Sequence, residues 1–185
     1  MKKLYALAAA LFVGATAFAQ SYSVTFQVDL GTATASTNGV HVAGSFQSWQ
    51  PDTTEMTQVG TSSIYSVTRQ LAAGKHEFKF VNGNAWGSDE SVPAEVAVGG
   101  NRWVVVSSDT TLPAVMYGGA APSGQKAIHF MVDMSMQTLS ADSAHVAGSF
   151  QGWDPAKTQL VNVNGIHRYI AYVNETDSVY FKFVI

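Results

Sequence analysis

From residue 22 onward the chain is written in short runs that alternate apolar and polar side chains. Tyr22, Val24, Phe26, Val28 and Leu30 recur with a period of two, the pattern of a strand with one buried face. Ile128, Phe130, Val132 and Met134 repeat it, with Asp29 and Asp133 at the same place in each run. In the next run Val40, Val42 and Phe46 share a face with Gly44 as the gap, and Ala144, Val146, Gly148 and Phe150 copy them. Residues 64–71 form a third run around Tyr65, echoed by 168–173 around Tyr169. In the fourth, 75–81, Phe78 and Phe80 lie on one face and Glu77 and Lys79 on the other; it returns as Phe181, Lys182 and Phe183. Asn82-Gly83-Asn84 has turn chemistry, Trp86 follows it, and further strands are expected at 95–98 and 101–107. Met56 and Leu160 are the single apolar anchors of the turn-rich stretches between the second and third runs.

The repetition is sharpest in one phrase. Residues 41–49 read His-Val-Ala-Gly-Ser-Phe-Gln-Ser-Trp and residues 145–153 read His-Val-Ala-Gly-Ser-Phe-Gln-Gly-Trp, each with a proline two residues further on, Pro51 and Pro155. A long-range repeat of this kind marks two copies of one module. Short strands with turn signals between them predict an all-β protein of two tandem β-sandwich modules. The expected division is a first module at 20–111, a linker rich in Pro, Gly and Ala at 112–125, and a second module at 126–185. The second copy has nothing to match 82–107, so it reads as incomplete, with its last strands missing and one face and edge left open.

Residues 1–19 stand apart. Lys2 and Lys3, an apolar run from Leu4 to Val13, and Ala17-Phe18-Ala19 have the layout of a signal peptide, too short for a membrane span. Export is therefore expected, to the periplasm, the cell surface or the medium. Export permits disulfides, yet the chain has no cysteine, so its cores must hold it together and zinc–thiolate sites are excluded. The net charge of −3 becomes −5 once Lys2 and Lys3 are removed. With no basic stripe, nucleic acid is not an expected partner, and no membrane insertion is expected of the mature chain. Only 12% of residues are charged, so its polar surface is mostly uncharged, suited to neutral ligands.

The ordered set of Gly-Ser-Phe-x-x-Trp, Tyr65, Gly74, Phe78-Lys79-Phe80, Asn82-Gly83 and Trp86 resembles the starch- and glycogen-binding modules found beside amylases and branching enzymes and in the β-subunit of AMP-activated protein kinase. Gly-Trp-Asp-Pro at 152–155 is especially similar to the starch-binding type. Tandem copies of this kind also occur in exported proteins of gliding bacteria. The resemblance covers residues 22–107 well and 128–185 in part. It implies an immunoglobulin-like sandwich on which two tryptophans grip the curved face of an α-1,4-glucan, helped by a lysine and an asparagine. Carried over by position, these are Trp49, Trp86, Lys79 and Asn101, and in the second copy Trp153 and Lys182.

Those residue types suit the task. An indole offers a broad apolar plane for the C–H faces of sugar rings, and lysine and asparagine recognise hydroxyls. Each has a plainer alternative. Trp49, Trp86 and Trp153 could cap a sandwich end, Lys79 could be a solvated lysine, and Trp103 reads as core or edge packing. Tyr65 and Tyr169 read as core residues, and His41 and His145 as outward-facing strand histidines rather than metal ligands. Catalysis is not indicated. Asp89 and Glu90 are adjacent and diverge in an extended chain, whereas a glycosidase needs two carboxylates facing one bond. Ser45 and Ser149 lack a nucleophile elbow. No catalytic residue, metal or cofactor is therefore expected. The residues support a secreted, non-catalytic α-glucan-binding protein. An immunoglobulin-like spacer or adhesion repeat, and an accessory domain of a longer secreted hydrolase with a downstream domain, stand as the alternatives.

Overall fold

The computed structural model describes residues 20–138 and 144–185; the expected signal peptide lies outside the described residues. The protein is built from strands, with 3-10 turns and no α-helix among the described residues. The first module contains β1 (Ser21–Asp29), β2 (Val40–Gly44), β3 (Glu55–Gln58), β4 (Ile64–Ala72), β5 (Gly74–Val81), β6 (Arg102–Val106), β7 (Thr110–Thr111) and β8 (Val115–Met116). One layer runs β6-β5-β2 and the other has β4 and β1 with the short β7 and β8 parallel to β1; β3 pairs with both β2 and β4 and joins the layers. The period of two explains the core. Val24, Phe26 and Val28 of β1 are fully buried against Val40, Val42, Phe78 and Phe80 of the facing layer. The Phe26 and Phe78 rings meet edge to face at 4.9 Å.

The second module repeats these pairings. It comprises β9 (Gln125–Asp133), β10 (His145–Gly148), β11 (Val161–Val163), β12 (Ile166–Asn174) and β13 (Phe181–Val184). β9 pairs with β12 as β1 pairs with β4, and β10 pairs with β13 as β2 pairs with β5. Phe130 and Phe181 meet edge to face at 4.9 Å, as Phe26 and Phe78 do.

Three expectations need correction. No strand forms at 95–98; residues 94–96 are a turn closed by Val96 N donating to Pro93 O at 3.1 Å, followed by a left-handed Gly99-Gly100 turn. Proline starts a turn here and the glycine pair reverses the chain. The stretch 112–125 is only partly a linker. Leu112 N donates to Thr25 O, β8 lies along β1, and Tyr117 N donates to Asp29 O, so the first module extends to about Gly119 and β9 already starts at Gln125. His41 does not face outward. It is buried, with Nδ1 2.6 Å from Gly83 O; Val40 to Gly44 are buried on both faces, because the loop carrying Gly83 covers the outer one.

Arg102 closes the first module. Its Nε and Nη2 donate to Glu90 Oε1 and Oε2 at 2.8 and 2.6 Å, and Nη2 also reaches Gly119 O at 2.8 Å. Glu90 further accepts from Phe80 N at 3.0 Å and Gly118 N at 3.0 Å. Every oxygen of this buried carboxylate thus has donors, the condition under which a buried pair is tolerated. Trp103, on β6, packs between modules: its ring centroid lies 6.0 Å from that of His129 on β9. His129 Nδ1 lies 2.8 Å from Glu95 O, and since a carbonyl only accepts, Nδ1 carries the proton.

Candidate functional site

The repeated phrase folds into the same tight device twice. After β2 the chain makes a 3-10 turn, Ser45–Gln47, then passes through two left-handed residues, Ser48 and Trp49, both at φ 59°. After β10 the turn Ser149–Gln151 leads to Gly152 at φ 79° and Trp153 at φ 62°. A left-handed tryptophan costs about 1–3 kcal/mol and persists only where its surroundings enforce it. Two features do so here. Trp49 N donates to Gly44 O at 3.0 Å and Trp153 N to Gly148 O at 2.9 Å. The Gln47 amide donates to Gln50 O and Thr53 Oγ1 while its oxygen accepts from Gln50 N at 2.7 Å; Gln151 makes the matching bonds with Asp154 and Thr158. Glycine opens the phrase for a steric reason. A Cβ on Gly44 would stand 2.6 Å from Glu77 O, and one on Gly148 2.6 Å from Tyr180 O.

Trp86 comes from a different element. The chain leaves β5, turns through 82–88, and returns with Val81 bridged to Asp89. Asn82 N donates to Ser88 O at 2.9 Å, the Asn82 side chain bonds Ser36 N and Thr34 O, and Tyr117 Oη donates to Ser88 O at 2.6 Å. The loop is thereby tied to the module while Trp86 at its tip is 49% exposed.

These two elements bring the indoles of Trp49 and Trp86 side by side, with ring centroids 6.3 Å apart and planes inclined at 44°. Together with Lys79, Asp89 and Asn101 they line an open depression of about 330 Å³. Of the six residues expected from sequence, Trp49, Lys79, Trp86 and Asn101 therefore converge on one surface. Trp153 and Lys182 lie in the other module, both exposed, with Lys182 opposite Ala147 as Lys79 is opposite Ala43. No counterpart of Trp86, Asp89 or Asn101 accompanies them among the described residues.

Polar neighbours hold the site in place. Lys79 Nζ donates to Asp89 Oδ2 at 2.9 Å. Asn101 Nδ2 donates to Glu77 Oε2 at 3.0 Å, and Lys75 Nζ to Glu77 Oε1 at 2.6 Å. The Lys79 ammonium holds the Asp89 carboxyl below its ordinary range against the opposing effect of burial. For Glu77 burial pushes upward, but the bonds from Lys75 and Asn101 outweigh it and the net direction is down. Both carboxylates are thus ionised at neutral pH. Sequence reasoning overlooked Asp89 as a surface group, Glu77 as the anchor of Asn101, and the repeated glutamine. The strand alternation of Lys75, Glu77 and Lys79 on one face was the available signal for Glu77. The glutamine stood in plain view in both copies of the phrase. No group able to hold a metal ion occurs among the described residues.

The site is thus an open, tilted pair of indoles edged with hydrogen-bonding groups. Residues 32–111 match the family described as the glycogen recognition site of AMP-activated protein kinase, so the first module is similar to this family of carbohydrate-binding modules. No curated protein matches the chain significantly.

Proposed function

We propose that the protein is exported and binds an α-1,4-glucan of the starch or glycogen type without catalysing its hydrolysis, with Trp49 and Trp86 stacking on sugar rings. The observation that carries this is the pair of rings 6.3 Å apart at 44° on one open surface. Flat planes set at such an angle fit a chain that curves, and a straight chain could lie on only one of them. Each stacked ring contributes roughly 1–3 kcal/mol, as for burial of an aromatic side chain. Two rings and a few hydrogen bonds then place the affinity in the roughly micromolar-to-millimolar range. Lys79 and Asn101 address hydroxyls at the ring edges. Trp153 and Lys182 offer a weaker second contact, which gains from effective concentration once the first module is bound. The basic start, apolar run and Ala17-Phe18-Ala19 of the N-terminus support export.

Affinity electrophoresis tests the reading. The native protein should be retarded in a gel containing soluble starch or glycogen, and the Trp49→Ala, Trp86→Ala double variant should run as it does without polysaccharide. Equal mobility of the two proteins in both gels would overturn it.

A further inference from the structure

The depression holds one group whose role goes beyond gripping a sugar. Asp89 accepts from Lys79 Nζ with Oδ2 at 2.9 Å and from Gly87 N with Oδ1 at 3.1 Å. One carboxylate thus restrains both the lysine and the backbone next to Trp86. Its own direction is fixed from behind. Glu90, the next residue, is buried and bonded to Arg102 and Phe80 N, so the alternation of an extended chain turns Asp89 to the surface.

The charges of the site consequently cancel in pairs. Lys79 is matched by Asp89, and Glu77 by Lys75. A sugar hydroxyl both donates and accepts, so a neutral glucan can bond Asp89 and Lys79 at once. A sugar carrying a carboxylate or phosphate can reach Lys79 only by setting its own negative charge beside that of Asp89. We propose that Asp89 is a specificity-determining positioning residue that makes this surface select uncharged glucan and reject anionic polysaccharide of the same backbone. The proposal rests on the glucan-binding reading above.

The test compares affinities for soluble amylose and for carboxymethyl-amylose at low salt in native protein, Asp89→Asn, Lys79→Gln and the Lys79→Gln, Asp89→Asn double variant. Native protein should favour amylose. In Asp89→Asn one like charge disappears and one cation is freed, each a change of about two- to fivefold at a partly exposed site. The ratio of anionic to neutral affinity should therefore rise roughly tenfold, and the gain should shrink with added salt. Lys79→Gln leaves Asp89 unpaired and should move the ratio the other way. The double variant should return it to near the native value, and Lys79→Gln, which leaves Asp89 in place, decides the matter if Asp89→Asn does not fold. Native binding to amylose with an unchanged ratio in the single variants overturns this inference alone. Failure of the native protein to bind amylose overturns the glucan reading and this inference with it.

Discussion

The two modules repeat one set of phenylalanines and differ in how much of it the described residues cover. Phe78 and Phe80 are 4% and 1% exposed in the first module, whereas their counterparts Phe181 and Phe183 are 46% and 38% exposed in the second. The ring geometry is nearly the same: Phe78 and Phe80 meet at 5.6 Å and 77°, Phe181 and Phe183 at 5.5 Å and 76°. Closure is supplied by the segment from Trp86 to Gly119, which contributes β6, the Glu90–Arg102 pair and the return along β1. The same segment supplies Trp86, Asp89 and Asn101 to the site. Among the described residues the second module has the tryptophan turn but no counterpart of the loop that faces it. One stretch of chain thus both seals the core and completes the candidate surface.

The largest expected effect comes from breaking the seal. Arg102→Met leaves the Glu90 carboxylate buried without its partner, a change that costs about 3–5 kcal/mol. The first module should then show a lower unfolding temperature and stronger binding of a dye that reports exposed apolar surface. An unfolding temperature equal to the native one would show that the ion pair is not what closes the module.

A smaller effect is expected where the modules meet. Burial lowers the pKa of His129, the hydrogen bond to Glu95 O opposes this, and the Arg168 charge adds to it. A histidine with a depressed folded pKa is most stabilising above its unfolded value of 6.5, and that stability is lost as pH falls below it. Between about pH 7.5 and about pH 5.5, the native unfolding temperature should drop by more than that of His129→Gln. Equal drops would mean that His129 does not sense the change.

The smallest effect sharpens the comparison directly. No indole faces Trp153 among the described residues, so Trp153→Ala should weaken binding to a short glucan oligosaccharide by less than about twofold. A loss as large as that from Trp86→Ala would make the second module an equal site.

Much of this organisation was legible in the chain. Alternation at Val24, Phe26 and Val28, and again at Phe78 and Phe80, placed the core strands because burial on one face imposes a period of two. The tryptophans, Lys79 and Asn101 came from an ordered motif. What stayed hidden depended on partners distant in sequence. His41 is buried by a loop 42 residues away, and no local pattern announces that. Asp89 and Glu90 look alike as neighbours, and only the placement of Arg102 and Lys79 assigns one to the core and the other to the surface. Residues 112–119 have a linker's composition, yet short parallel pairings with β1 and the carbonyls that receive Arg102 draw them into the sandwich.

Calorimetric titration of a short α-1,4-glucan oligosaccharide into native, Trp49→Ala and Trp86→Ala protein tests the shared role of the two indoles most directly. Saturable binding by native protein, weakened by about tenfold or more in each single variant, is the expected result. Native binding that survives both substitutions unchanged, or no native binding at all, would contradict the claim that the tilted pair of rings forms the recognition surface.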